Sequence, residues 1–185
     1  MTAPARSEVV CTNIVYVFFL SFTAYMCDLW SQKIPNALIM MGYATGFVYI
    51  IYEKGPPGIP EAVISLAWPI LLLIVLYRMR ALGAGDIKLL SVISVFLDFH
   101  QMLTVIYLSF LTGAVVGLVR LLLHGEMVAH LKNIHLYLYT VITEKSLPVY
   151  RGRNDRYGVL HFAGCIFAAV SVMIIWEVLL GDGTI

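Results

Sequence analysis

The sequence predicts an all-α, polytopic integral membrane protein of about six transmembrane helices, with an amphipathic helix lying on the cytoplasmic side. Three observations carry that prediction. Of the 185 residues, 61% are hydrophobic and 12% charged, and the mean hydropathy is +0.88. Soluble domains run nearer half apolar and a quarter charged, so water would meet too much apolar surface. The apolar residues also fall in long runs that do not alternate, and in lipid each run must satisfy its own backbone hydrogen bonds, which selects helices. Finally, the basic residues sort to one side of the spans so drawn.

In chain order, the first span runs from Val9 to Cys27 and stops at Asp28. Met1 to Val10 lacks the basic region of a secretory signal, and no small-residue cleavage site follows, so this run is expected to stay as a span. Ile34 to Tyr52 is the second span, closed by the turn-rich Glu53-Lys54-Gly55-Pro56-Pro57-Gly58. Ala62 to Tyr77 is the third and contains Pro69, whose missing N–H leaves a carbonyl that neighbouring residues must satisfy.

The fourth run is short. Asp86 and Asp98 are 12 positions apart, whereas crossing hydrocarbon takes about 17–25 residues. Either this span begins near Leu82 or it stops short of crossing, and both readings hold Asp86 and Lys88 at or just below the membrane surface. Met102 to Leu123 and Val159 to Leu180 are the fifth and sixth spans. Between them, in the cytoplasmic loop 125–158, Met127, Leu131, Ile134, Leu138 and Val141 form an amphipathic stripe, read as a surface helix followed by a basic loop. The whole chain, 1–185, reads as one membrane-embedded domain.

Charge sets the orientation. With the first span running outside to inside, the inner side holds Lys33, Arg78, Arg80, Lys88, Arg120, Lys132, Lys145, Arg151, Arg153 and Arg156, against Arg6 and Lys54 outside. That bias is the positive-inside signal, and it puts both termini outside. Membrane lipids are therefore the surroundings. A formal net charge of +1 gives no sign of nucleic-acid binding. Cys11, Cys27 and Cys165 are singly spaced, with no CxxC pair, so neither a metal centre nor a disulfide framework is expected.

Two carboxylates stand out because an ionised carboxylate at bilayer depth costs about 2.5–3.5 kcal/mol. Asp28 ends the first span and Asp86 lies in Leu82-Gly83-Ala84-Gly85-Asp86-Ile87-Lys88-Leu89. The topology brings both to the same inner boundary. Two carboxylates held close share a proton, so one can act as base on a water while the other polarises a carbonyl. Gly83 and Gly85 are expected to supply backbone torsions closed to other residues and room for another chain. The same segment also suits a tight turn with a helix cap, and Asp28 suits a plain interfacial charge.

Leu82 to Leu89 resembles the GxGDxKL signature of the type IV prepilin peptidases. Asp28-Leu29-Trp30-Ser31-Gln32-Lys33-Ile34-Pro35-Asn36 is similar to their other signature, an aspartate followed by a basic residue and I-P-N. Tyr157-Gly158-Val159 resembles the P-Y-G region before the last span, with Arg156 in place of proline. The resemblance covers essentially the whole chain in motif order. It implies an aspartic endopeptidase that removes the short basic leader from pilin-like precursors, after a glycine, with Asp28 and Asp86 as the catalytic pair and no cofactor. Bifunctional members carry an added segment with paired CxxC motifs and also methylate the new N-terminus. This sequence shows neither, which implies the peptidase-only branch serving tight-adherence (Flp-type) pili.

Supporting roles are open to several residues. Lys88 could bias the pair or contact substrate, or simply snorkel to the surface. Pro35 and Asn36 start the second span and could fix Asp28. His130 and His135 are five apart and do not share a helix face, and His161 reads as a packing residue. Gly113 and Gly117 form a GxxxG suited to close helix packing within the bundle or to dimerisation. A small proton-coupled carrier or an inactive pilus-assembly scaffold would use the same two aspartates differently. No internal repeat of the transporter kind is visible.

Overall fold

The computed structural model describes residues 6–79, 81–123 and 161–180. The amphipathic stripe, His130, His135, Tyr157-Gly158-Val159, Arg80 and all five inner basic residues after Arg120 (Lys132, Lys145, Arg151, Arg153 and Arg156) lie outside the described residues. Those that are described form α1 (Arg6–Ser31), α2 (Asn36–Lys54), a 3₁₀ turn (Pro56–Gly58), α3 (Ile59–Arg78), α4 (Ala84–Ile93), α5 (Phe99–Leu123) and α6 (Phe162–Leu180), with no strand among them. Three stretches are long and apolar enough to cross a membrane: Asn13–Ser31, Pro56–Arg78 and Phe99–Arg120. The helices α3 and α5 expose apolar side chains such as Ile64, Leu71, Val75, Tyr107, Val115 and Leu118. That exposure suits lipid, the one solvent that rewards an apolar outer face.

α4 is different in kind. Its 10 residues rise about 15 Å at 1.5 Å each, half of the ~30 Å hydrocarbon layer. Of the two readings the sequence allowed, the helix therefore stops short. Leu89, Leu90, Val92 and Ile93 are fully buried, and α4 packs against α1, α2, α3 and α6. One face of α2 is cut back to admit it: a Cβ on Gly42 would fall 2.6 Å from Val92 Cγ1, and one on Gly46 3.1 Å from Val95 Cγ1.

Among the described residues, the buried polar side-chain atoms other than Glu177 Oε2 are paired, as a low dielectric demands. Ser91 Oγ donates to the Leu66 carbonyl at 2.6 Å, and Ser94 Oγ to the Ser65 carbonyl at 2.5 Å. Ser65 is four residues before Pro69, so the carbonyl that the proline deprives of its helical donor is the one that Ser94 serves. Between α1 and α2, Asn13 Nδ2 donates to Tyr49 Oη at 2.6 Å, and the Tyr16 and Thr45 hydroxyls are bonded to each other. Gln101 Nε2 donates to Glu177 Oε1 at 2.7 Å, joining α5 to α6. Outside the core, Lys54 and Glu61 form an exposed ion pair across the turn between α2 and α3.

The GxxxG of α5 splits in two. Gly113 packs inward against Phe162 and Cys165 of α6, whereas Gly117 has no atom of another segment within 4 Å of its would-be Cβ.

Candidate active site

Asp28 lies inside the last turn of α1, because the helix runs on to Ser31 instead of stopping at Cys27. The helix ends through a local device. Ser31 Oγ donates to the Cys27 and Lys33 carbonyls, both at 2.8 Å, and Gln32 adopts φ 54°, the left-handed conformation. That turn lets the Gln32 N–H cap the carbonyl of Asp28 itself at 2.9 Å. Pro35 then caps α2 with φ −65° and ψ 134°, its fixed ring matching the extended backbone there. The Pro35 carbonyl accepts the Leu38 N–H at 3.1 Å.

Asp86 occupies the third position of α4, one turn after the capping residue Gly83. Its carboxylate accepts the Gly83 N–H, while the Gly83 carbonyl accepts the Ile87 N–H at 3.3 Å. An acid at this position closes back on the first free N–H of the helix, where the helix dipole also favours it. The glycines act differently from the torsional role expected of them. Gly83 has φ −75° and ψ 148°, open to any residue, and among the described residues Gly55 alone has a positive-φ glycine backbone. What Gly83 supplies is space, since a Cβ there would lie 2.9 Å from Asp86 Oδ2. Gly85 borders Ile34, where an added Cβ would make ordinary contact at 3.4 Å.

The two segments meet. Ile34 lies against Gly85, and Lys88 Nζ donates to Asn36 Oδ1 at 3.4 Å. α1 touches α4, and the charge of Asp28 acts on the Asp86 carboxylate. The structure thus sets the Ile34–Asn36 stretch against Gly85 and Lys88, folds Asp86 back on Gly83, and brings Asp28 within electrostatic reach of Asp86. It also adds neighbours from α6 and α5. The His161 imidazole acts electrostatically on Asp28, and Cys165 lies within reach of the charges of Asp86 and Arg120. Sequence spacing gave no sign of these neighbours, because Arg120, His161 and Cys165 follow Asp28 by 92, 133 and 137 residues along the chain.

The arrangement is a half-buried carboxylate that accepts a glycine N–H, within electrostatic reach of a second carboxylate on another helix. Chemically it can hold one proton between two groups and move it to or from a water. The family model described as the type IV leader peptidase family matches residues 14–118, a stretch that contains both carboxylates. The chain belongs to that family of membrane peptidases. No curated protein and no solved structure matches the chain.

Proposed function

We propose that this chain is an aspartic endopeptidase that removes the short basic leader from pilin-like precursors at the cytoplasmic face of the membrane. Asp28 and Asp86 are the catalytic pair. The observation that carries the reading is the juxtaposition of two carboxylates, from α1 and α4, at one end of a bundle whose family is a leader peptidase family.

The chemistry needs one ionised and one protonated carboxyl. The ionised group takes a proton from water, whose oxygen bonds to the scissile carbonyl carbon. The protonated group gives its proton to the carbonyl oxygen, producing a tetrahedral diol. When the C–N bond breaks, the leaving nitrogen takes the proton held by the first carboxyl. One diol hydroxyl returns its proton to the second as the carbonyl re-forms. Both carboxyls end as they began.

Gly83 leaves Asp86 free of side-chain crowding, and a helix too short to cross supports the reading that this group lies near a membrane boundary, where a precursor's leader would meet its apolar helix. The proposal includes no methyl transfer. It places both termini outside and assigns the chain to the tight-adherence pilus branch. Support for these finer points comes from charge sorting and motif resemblance.

The test is co-expression with pilin-type precursors from the same genome, following precursor size on a gel. Wild type should shorten the precursor, while Asp28→Asn and Asp86→Asn should accumulate in the membrane and leave it uncut. Full cleavage by either variant would remove that residue from the pair.

A further inference from the structure

The match to the family ends at residue 118, before α6 begins. Yet the residue that leads into α6, His161, brings an ionisable side chain to the proposed pair. The register between α1 and α6 follows from their contacts. Phe22 packs on Phe167 with ring centroids 5.5 Å apart, and a Cβ on Gly164 would fall 2.9 Å from the Tyr25 ring. Three residues forward on α1 thus correspond to three residues back on α6, so the helices are antiparallel. One further step of the same kind sets Asp28 opposite His161. The His161 carbonyl accepts the Gly164 N–H at 3.0 Å, which ties residue 161 to the first turn of α6. Tyr25, stacked on Phe167 at 5.7 Å and 5°, keeps the two helices in this register.

We propose that His161 is a positioning residue of this site, held opposite Asp28 by the α1–α6 register so that the single negative charge of the carboxylate pair resides on Asp28. The inference rests on the dyad reading and assigns its roles. Asp28 is the base that takes the proton from water. Asp86 keeps the shared proton and delivers it to the scissile carbonyl oxygen.

The surroundings agree with that division. Burial disfavours charge on both carboxylates, more so on Asp86, the more deeply buried of the two, and Asp28 alone has His161 opposing that effect. A protonated carboxyl can still accept the Gly83 N–H through one oxygen while donating from the other. Among the described residues, the other ionisable groups tied to this site are Tyr25 on α1, Asp86 and Lys88 on α4, Arg120 on α5, and Cys165 on α6 itself. Lys88 is directed to Asn36, and Arg120 acts on Cys165 one turn further along. His161 is the cation-forming side chain whose interaction with Asp28 is resolved.

The experiment uses the full chain in lipid nanodiscs, cleaving a precursor that the co-expression assay has identified. Wild type, His161→Leu, His161→Gln, His161→Lys and Asp28→Asn are compared. An opposite charge beside a carboxylate biases its ionisation by about tenfold or more, so His161→Leu should lower kcat roughly tenfold. Because the effect is on chemistry and not on substrate binding, KM should stay within about twofold. His161→Lys, which restores a cation, should recover most of kcat. If the leucine variant fails to fold, His161→Gln is read in its place.

Unchanged kcat in His161→Leu or His161→Gln beside an inactive Asp28→Asn overturns this inference and leaves the dyad standing. Equal losses in the leucine and lysine variants overturn it too, by showing a packing role. Cleavage by Asp28→Asn takes down the dyad and this inference together.

Discussion

Lys88 Nζ reaches Asn36 Oδ1 at 3.4 Å, tying the start of α4 to the start of α2. With Ile34 against Gly85, that bond docks the segment following Asp28 onto the segment containing Asp86. The two halves of the proposed site are therefore joined beside the carboxylates as well as through the helices that carry them. The bond is exposed and long, so its contribution to stability is at most about 1 kcal/mol. Its effect on alignment should be easier to see. Lys88→Met and Asn36→Ala are each expected to slow cleavage a few-fold, and the double variant to be no slower than the worse single one. Initial rates in a double-mutant cycle measure this, and additive losses would show that the two residues act separately.

The two glycines of the α4 segment should respond unequally to alanine. At Gly83 the new Cβ would sit 2.9 Å from Asp86 Oδ2, so the carboxylate must move. A displacement of that size at a reacting group costs on the order of 100-fold in rate. At Gly85 the Cβ would meet Ile34 at 3.4 Å, an ordinary contact, and alanine is also the better helix former. Gly85→Ala should therefore retain most of the wild-type rate, while Gly83→Ala loses nearly all of it with its melting temperature little changed. Cleavage rates and thermal melts of the purified variants decide it, and equal rates would contradict the crowding argument.

How far the sequence reached can be judged at these same residues. Asp28 and Asp86 were legible because a carboxylate at bilayer depth is costly and because charge sorting put both at one boundary. The orphan carbonyl of Pro69 was legible as a requirement, though nothing in the sequence named Ser94 as the residue that meets it. The glycines were recognised but assigned torsional freedom and room for another chain, whereas at Gly83 the missing Cβ makes room for Asp86 itself. That distinction depends on where a carboxylate folds back, which spacing does not encode. The burial of α4 from Leu89 to Ile93 was equally hidden, since a short apolar helix reads alike whether lipid or protein surrounds it. Glu177 passed unnoticed because its partner, Gln101, is 76 residues away.

Gln32 had no signal at all. The left-handed conformation it adopts is ordinarily given to glycine or asparagine, and a side chain there costs about 1–2 kcal/mol. The structure keeps that conformation because the Gln32 N–H caps the Asp28 carbonyl at 2.9 Å. Gln32→Gly should therefore raise stability by up to about 1 kcal/mol while leaving that cap in place. Gln32→Pro removes the N–H and imposes a negative φ, so it should disturb the backbone at Asp28 and depress cleavage. Denaturant or thermal unfolding in detergent, read beside the cleavage rate, tests both. A destabilised glycine variant would mean that the glutamine side chain holds the turn.

The bond from Ser94 Oγ to the Ser65 carbonyl should be worth more than its neighbours because of what Pro69 takes away. In an unbroken helix the residue at position 69 would donate to that carbonyl, and proline has no N–H to give. Ser94→Ala would leave a buried acceptor without a donor, at a cost of about 1–3 kcal/mol. In Pro69→Ala the helix supplies its own donor, so adding Ser94→Ala to that background should cost much less than it does in wild type. The coupling between the two changes, measured from unfolding in detergent, should reach on the order of 1 kcal/mol. Independent effects would mean that Ser94 stabilises the bundle chiefly through its second bond, to the Ser91 carbonyl at 2.7 Å. A coupled result would identify the proline of α3 and the serine of α4 as one device. That device would hold the short, buried helix at the height where Asp86 meets Asp28.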